Sequence, residues 1–184
     1  MIKNLKIATI LPYKENYTLG KAQAASIWVN DFLKYSKHKK NNFIFGSTIY
    51  KNFLSKNYIN ININYLKSKF YSSTKEYCDN IVSKTKSINF DIIEIHNRPK
   101  VYQYLSSKIK SKYILYFHND PLTMNGSISK NERLDLLKNL DKIIFVSEWV
   151  RNRFFYNIDK KLIHKTEVVY PSIHKIKKLP IKEK

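Results

Sequence analysis

Two histidines, 22 residues apart, occupy matching positions in the sequence. His96 follows the apolar run DIIEI and begins His-Asn-Arg-Pro, while His118 follows YILYF and begins His-Asn-Asp-Pro. Short runs rich in isoleucine and aromatic residues predict buried strands, and the prolines require each strand to end near its histidine. Imidazole nitrogens in such positions can hydrogen-bond hydroxyl groups or oxyanions, hold metal ions or move protons.

The spacing between the histidines indicates how they are positioned. It leaves room for one strand, a crossover helix and a turn, which is a right-handed unit with parallel strands. Parallel strands end at the same edge of a sheet, so both histidines are expected at the carboxyl edge. Ligands bind at that edge in open α/β sheets.

The rest of the chain alternates strand and helix patterns. This alternation predicts an α/β fold, a doubly wound, mostly parallel Rossmann-like sheet in a single domain. The domain is expected over residues 1–171, followed by a basic linker or tail at 172–184. Predicted strands are 5–11, 42–48, 58–65, 91–95, 113–117, 142–146 and 167–170, and predicted helices begin near 21, 73, 100, 129 and 148.

Several local patterns refine these helices. Ser73 with Glu76 and Ser129 with Glu132 have capping-box spacing, and Ser147 is a candidate cap for a helix over residues 148–156. The periodicity places Leu134, Leu137 and Leu140 on the inner face of the fourth helix. The single cysteine, Cys78, excludes an internal disulfide and is expected to be a small buried hydrophobic residue.

The chain is strongly basic, with 34 basic and 14 acidic residues and a formal charge of +20. Nucleic-acid binding is disfavoured because arginine is scarce, the lysines are dispersed, and an AT-rich genome explains much of the Lys, Asn, Ile and Tyr content. An anionic membrane surface is a candidate partner. No apolar run reaches the roughly 20 residues of a membrane span, and the expected location is the cytoplasm or the inner face of the membrane.

The sequence lacks the residues that three other kinds of site require. The histidine pair has no third ligand at metal-site spacing, Ser147 lacks the glycines of a nucleophile elbow, and no phosphate-binding P-loop is present. A crevice suited to hydroxyl-rich and phosphate-bearing ligands remains. Its residues are Gly20, His96, Asn97, Arg98, His118 and Asn119. Gly20 as a plain turn residue, and each histidine as a strand end satisfied by backbone, remain open alternatives.

Together these motifs resemble a known family. Ile10-Leu-Pro with its loop to Gly20, the two His-Asn-x-Pro segments and residues 145–150, FVSEWV, are similar to the amino-terminal domain of family 4 glycosyltransferases. The resemblance runs from about residue 5 to Pro171 and depends on the order and spacing of the motifs. It implies a retaining enzyme of two Rossmann-like domains, the GT-B architecture, with a nucleotide-sugar donor, a glycan or lipid-linked acceptor, no cofactor and no metal.

The resemblance also implies residue roles. His118 matches the histidine that contacts the transferred sugar, and the loop ending at Gly20 and Lys21 matches the segment facing donor diphosphate and acceptor. Residues 96–98 would line the acceptor side. Asn119 and Asp120 match variable neighbours of His118, and Ser147 matches a strand-to-helix turn on the same cleft wall.

The sequence departs from the family in two respects. The turn at Tyr170-Pro171-Ser172 lacks the usual Asn-Gly, and no two glutamates lie eight positions apart, as they do in the nucleotide-binding carboxy-terminal domain of family members. We therefore expect an amino-terminal half that needs a carboxy-terminal glycosyltransferase domain as partner and transfers little sugar alone. The alternative is a non-catalytic Rossmann-like module that docks on a partner protein or an anionic surface.

Overall fold

A computed structural model of the chain describes residues 4–63 and 72–171. Its centre is a seven-stranded sheet in which every strand pair is parallel. The strands are β1 (Ile7–Ile10), β2 (Asn42–Gly46), β3 (Tyr58–Asn60), β4 (Ile92–His96), β5 (Lys112–Phe117), β6 (Lys142–Phe145) and β7 (Thr166–Val168). Their order across the sheet is β3-β2-β1-β4-β5-β6-β7, which confirms the predicted doubly wound topology.

Helices pack on both faces of this sheet. The α-helices are α1 (Ala24–Tyr35), α2 (Ser73–Thr85), α3 (Pro99–Ser106), α4 (Lys130–Asn139) and α5 (Glu148–Phe154), and short 3₁₀ helices span Lys39–Asn41, Pro121–Thr123 and Lys160–Lys165. Successive strand side chains point to opposite faces, so each strand contributes to two cores. Helices α2 to α5 cover one face, and α1 contributes Val29 to the smaller core on the other.

The strand sequences explain this division. In β1, Ala8 and Ile10 face α2 to α5, while Thr9 between them faces α1. The same alternation in β4 places Ile93 and Ile95 in the large core. The remaining β4 side chains, including Glu94 and His96, therefore lie on the α1 face of the sheet.

Some local predictions hold. Cys78 is fully buried, Ser129 and Glu132 form the expected capping box at the start of α4, and Ser147 caps α5. The half-buried strand at 58–65 forms only over Tyr58–Asn60, at the predicted sheet edge, and residues 64 and 65 lie outside the described residues.

Other local predictions are wrong. Helix α1 begins at Ala24 instead of Lys21, and the first residue of α2 is Ser73, so the cap is Ser72 and its side chain makes no capping hydrogen bond. Leu134 is 37% exposed, whereas Arg133, the residue before it, is 2% exposed. Leu137 and Leu140 are buried as predicted, so Leu134 is the one leucine of the three that the prediction misplaces.

The buried Arg133 side chain lies on the inner face of α4, where Leu134 was predicted. It donates hydrogen bonds to the carbonyl oxygens of Ser127, Ile128, Phe154 and Tyr156 at 2.6–3.1 Å. Two of those carbonyls precede α4 and two lie at the end of α5, so one side chain joins the two helices. Satisfying a buried cation with several acceptors offsets the cost of removing it from water.

The predicted tail at 172–184 lies outside the described residues. Among the described helices, none combines the length and the apolar character that crossing a bilayer requires.

Candidate functional site at the carboxyl edge of the sheet

His96 and His118 meet at the carboxyl edge, as their spacing predicts. Strands β4 and β5 are parallel neighbours, and His96 is the last residue of β4, while His118 follows β5 directly. The two imidazoles are hydrogen-bonded, with 2.8 Å between His96 Nδ1 and His118 Nε2. The structure therefore brings together the two residues on which the sequence interpretation depends.

The two rings differ in their access to solvent. His96 is fully buried, stacked on Tyr116 at 4.5 Å between ring centroids, and Trp28 of α1 lies 5.6 Å away. His118 is half-buried, with the Trp28 ring edge-on at 5.4 Å. A ligand at this edge can thus reach His118, whereas His96 can act on it only through His118.

Burial determines the charge of the pair. Removal from water disfavours the charged imidazolium, so burial lowers the pKa of His118 to about 4. Burial and, secondarily, the neighbouring His118 hold the pKa of His96 well below its usual value. Both rings are consequently neutral near pH 7. A neutral imidazole hydrogen-bonds hydroxyl groups well but carries no charge with which to bind phosphate.

Asn97 holds the backbone around the pair. It is buried and has a positive φ of 54°, a conformation that asparagine tolerates better than most residues. Its side-chain Oδ1 accepts a hydrogen bond from the backbone N–H of His118 at 2.7 Å, and its own N–H donates to the carbonyl of Tyr116. The side chain of Asn97, which the sequence places against substrate, is thus used within the protein.

Arg98 provides a cation in the loop that follows β4. It precedes α3, its Nη1 donates to the carbonyl of Asn97 at 2.9 Å, and its guanidinium lies 5.7 Å from the centre of the Tyr13 ring. Arg98 also lines a cavity of about 280 Å³ whose wall includes Lys100 and Asn125. This cavity at the amino end of α3 combines two positive side chains with amide groups and can accept an anionic or hydroxylated group.

Three other predicted residues follow the same strand ends. Asn119 is exposed. Asp120 accepts hydrogen bonds from Arg153 at 2.8 and 3.0 Å and from the Leu122 N–H, and Ser147 accepts one from the Val150 N–H. Asp120 and Ser147 therefore stabilise the turns that follow β5 and β6.

The early glycine loop lies at the same edge, after β1. Gly20 has a φ of 71° and open space around it, and both Gly20 and Lys21 are exposed. Within the described residues, no recorded contact joins either one to His96 or His118. Glu15 of this loop lies at the start of α1, where its carboxylate accepts a hydrogen bond from the Ser26 N–H at 3.2 Å.

The sequence interpretation did not identify a partly buried polar cluster on the α1 face of the sheet, centred on Glu94. Glu94 accepts hydrogen bonds from Thr9 Oγ1 at 2.8 Å and from the Tyr116 hydroxyl at 3.3 Å, and burial raises its pKa. These three residues and Trp28 line a cavity of about 320 Å³ between α1 and the sheet. The sequence does contain a signal for this cluster, because a glutamate within the apolar run Ile-Ile-Glu-Ile leaves water at least in part and then needs hydrogen-bond partners.

No group of three or more metal-binding side chains converges among the residues that the structure describes. The residues at the carboxyl edge include amides, hydroxyls, neutral imidazoles and the cations Arg98 and Lys100, while Asp120 is paired with Arg153. This set is suited to binding sugar hydroxyls, with a cation available for a phosphate or carboxylate.

Solved structures with the same fold were found at low sequence identity. A sucrose-phosphate synthase from Thermosynechococcus elongatus matches with a TM-score of 0.60 and 10% identity, covering 90% of this chain and 88% of that one. HepE of Anabaena in complex with UDP-glucose matches with a TM-score of 0.59 and 12% identity, covering 91% of this chain and 44% of HepE. A glycosyltransferase from Rickettsia africae matches with a TM-score of 0.55 and 19% identity, covering 91% of this chain and 43% of that one.

At these identities the similarity establishes the fold, which is one Rossmann-like domain. Another structure of the same synthase is covered to 48%, so the chain spans less than half the length of these longer proteins. No protein-family model matches the sequence, and none of the curated proteins matches it either.

Proposed function

We propose that this chain is the amino-terminal half of a retaining GT-B glycosyltransferase of family 4. The observation that carries the proposal is the neutral His96–His118 pair at the carboxyl edge of an all-parallel sheet. Support comes from the sequence motifs and from the fold, which is shared with a sucrose-phosphate synthase, with HepE bound to UDP-glucose and with a glycosyltransferase.

His118 is the residue proposed to touch the transferred sugar. The His96 Nε2 atom is buried with no hydrogen-bond partner among the described residues. An unpaired buried N–H is rare in proteins, so we assign the proton of His96 to Nδ1, which then donates to His118 Nε2. That assignment leaves the remaining proton of His118 on Nδ1, available for a sugar hydroxyl oxygen. The role of His118 is orientation and hydrogen bonding, not nucleophilic attack.

His96 is proposed as a positioning residue for His118. Tyr116 stacks on it, Trp28 packs beside it, and the fixed ring then determines which nitrogen of His118 carries the proton. A pre-oriented donor costs no reorganisation when the sugar binds, which is how fixed dipoles favour a transition state.

The remaining groups are assigned to the two substrates. The cavity beside Arg98 and Lys100 is proposed for the acceptor, a glycan or a lipid-linked glycan with anionic groups. The loop with Gly20 and Lys21 is proposed to face the donor diphosphate, whose leaving charge cationic groups stabilise. The nucleotide itself would be held by a second domain, because the chain spans less than half the length of HepE and the Rickettsia enzyme.

The proposal is tested by binding of nucleotide sugars to the purified chain. We expect UDP-glucose or another nucleotide sugar to bind weakly, in the millimolar range, and His118→Ala to weaken binding while His164→Ala does not. His164 is an exposed histidine before β7 and serves as the matched control. Equal binding by both variants would contradict the proposal. Sugar transfer by the chain alone would contradict its dependence on a second domain.

A further inference from the structure

Two loops at the carboxyl edge expose apolar side chains to solvent. Leu19, in the loop after β1, is 80% exposed, and Ile49, in the loop after β2, is 85% exposed. Tyr50 and Phe53 are also exposed, at 40% and 39%. Single exposed apolar residues are common, but a contiguous group of them indicates a binding surface.

Backbone hydrogen bonds hold the two loops together. The Leu19 N–H donates to the Asn52 carbonyl at 3.3 Å, the Leu54 N–H donates to the Tyr17 carbonyl at 3.2 Å, and Thr18 forms an antiparallel bridge with Phe53. Ile49 and Tyr50 line one depression together with Lys14. These residues and Lys51 therefore form one surface, here called the loop patch: Lys14, Leu19, Ile49, Tyr50, Lys51 and Phe53.

The loop patch is also positively charged. Lys14 and Lys51 are exposed, and no ion pair joins them to a carboxylate within the described parts of the chain. The only acidic residue in segments 12–23 and 47–57 is Glu15, whose carboxylate is occupied by the start of α1. Aliphatic tips, tyrosine and phenylalanine rings, and lysines with no nearby counter-charge form the pattern of an interfacial membrane anchor.

We infer that the loop patch binds the surface of a bilayer that contains anionic phospholipids. Its leucine and isoleucine side chains would enter the headgroup region, and its lysines would pair with lipid phosphates. The inference deepens the proposed function, because the patch lies at the same sheet edge as the histidines. A membrane in contact with it would bring a lipid-linked acceptor to the acceptor side of the cleft.

The observations favour a lipid surface over another protein. A second domain or a second copy would have to match lysines that are spread among the apolar tips with carboxylates, whereas an anionic bilayer offers negative charge across its whole surface. Each lysine close to such a surface strengthens binding about fivefold.

The test is co-sedimentation of the 184-residue chain with vesicles of phosphatidylcholine alone or with 30% phosphatidylglycerol, at low and high salt. We expect binding only with phosphatidylglycerol, and weaker binding at high salt. The variant Leu19→Ser/Ile49→Ser should bind at least about tenfold more weakly, and Lys14→Ala/Lys51→Ala about twenty-five-fold more weakly. The matched control is Ile128→Ser/Leu134→Ser, exposed aliphatic residues near α4, which should bind like the wild type.

Each contrary outcome is informative. Failure of the wild type to bind, or unchanged binding by Leu19→Ser/Ile49→Ser, would overturn the inference. Loss of a concentration-dependent dimer in that variant, without any vesicle binding, would overturn it as well and assign the patch to a second copy. Urea unfolding verifies that each variant is folded. Binding of UDP-glucose without vesicles tests the proposed function separately.

Discussion

His96 Nδ1 and His118 Nε2 are 2.8 Å apart, so one histidine of the pair is held by the other. The buried ring has no exposed atoms, and the half-buried ring faces the edge at which ligands enter parallel sheets. This arrangement makes His118 a neutral, oriented hydrogen-bonding group. Four predictions follow from it and from the contacts that hold its surroundings.

His118 should be required for sugar transfer. In an enzyme reconstituted from this chain and the proposed carboxy-terminal domain, His118→Ala should lower kcat about a hundredfold, because removing one oriented donor from a transition state costs that much. His164→Ala is the control and should retain wild-type turnover. Release of nucleoside diphosphate measures both variants, and a His118→Ala enzyme within threefold of wild type would refute the role.

The pair should make folding stability depend on pH. Histidines in the unfolded chain take up protons near pH 6.5, whereas His118 in the folded protein does so only at about 4. Between these values the unfolded state binds more protons, so the free energy of unfolding falls as pH falls. We expect His118 to contribute a loss of roughly 2 kcal/mol between pH 7 and pH 4.5.

Urea unfolding of wild type and His118→Asn at both pH values measures this contribution. Titrating groups that do not contact His118, including Glu15 and Glu94, are common to both proteins and cancel in the difference. Since His118 also contributes to the lowered pKa of His96, the difference reports on the histidine pair. The variant should lose less stability on acidification than the wild type. Identical losses would show that His118 has an ordinary pKa and is not the buried neutral group described above.

Arg133 should matter for stability more than any surface arginine. Arg133→Met leaves four backbone carbonyls without their donor and should lower the free energy of unfolding by about 3 kcal/mol. Arg151 forms a partly exposed ion pair with Glu148 one turn away, so Arg151→Met should change stability by less than about 1 kcal/mol. Urea unfolding at pH 7 compares the two, and equal effects would disprove the role assigned to Arg133.

Gly126 should tolerate substitution less well than Gly20. Both have positive φ, but a Cβ atom at Gly126 would lie 3.1 Å from Pro99 Cβ and 3.2 Å from the Lys100 backbone nitrogen, whereas Gly20 has nothing within 4 Å. Gly20→Ala should cost about 1 kcal/mol from its backbone conformation alone. Gly126→Ala should cost more and also disturb the cavity beside Arg98. Thermal unfolding of both variants tests the order of the effects.

The strands β4 and β5 could be predicted from the sequence because particular residue types mark where a strand runs and where it ends. The prolines after His96 and His118 and the apolar runs before them located β4 and β5, and their spacing predicted the shared edge. The side-chain contacts at that edge could not be predicted from the sequence in the same way. Asn97 could have faced substrate or protein with the same sequence, and only the fold shows its side chain bound to the His118 backbone.

The misplacement of Leu134 has a physical cause of the same kind. Leucine spacing favoured Leu134 as a buried residue, but Arg133 is buried instead, because four backbone carbonyls satisfy its guanidinium. Two of those carbonyls belong to residues more than 20 positions away, which local periodicity does not register. Glu94 is a different case, since its position inside an apolar strand was visible and its partners, Thr9 and Tyr116, were not.

The measurement closest to the central claim is an NMR titration of the isotope-labelled chain with UDP-glucose, including the imidazole nitrogens. The account predicts that the largest shifts fall on His118 and on neighbours at the carboxyl ends of β4 and β5, with the His118 ring neutral throughout. Shifts confined to the opposite edge of the sheet, or none at tens of millimolar ligand, would contradict it.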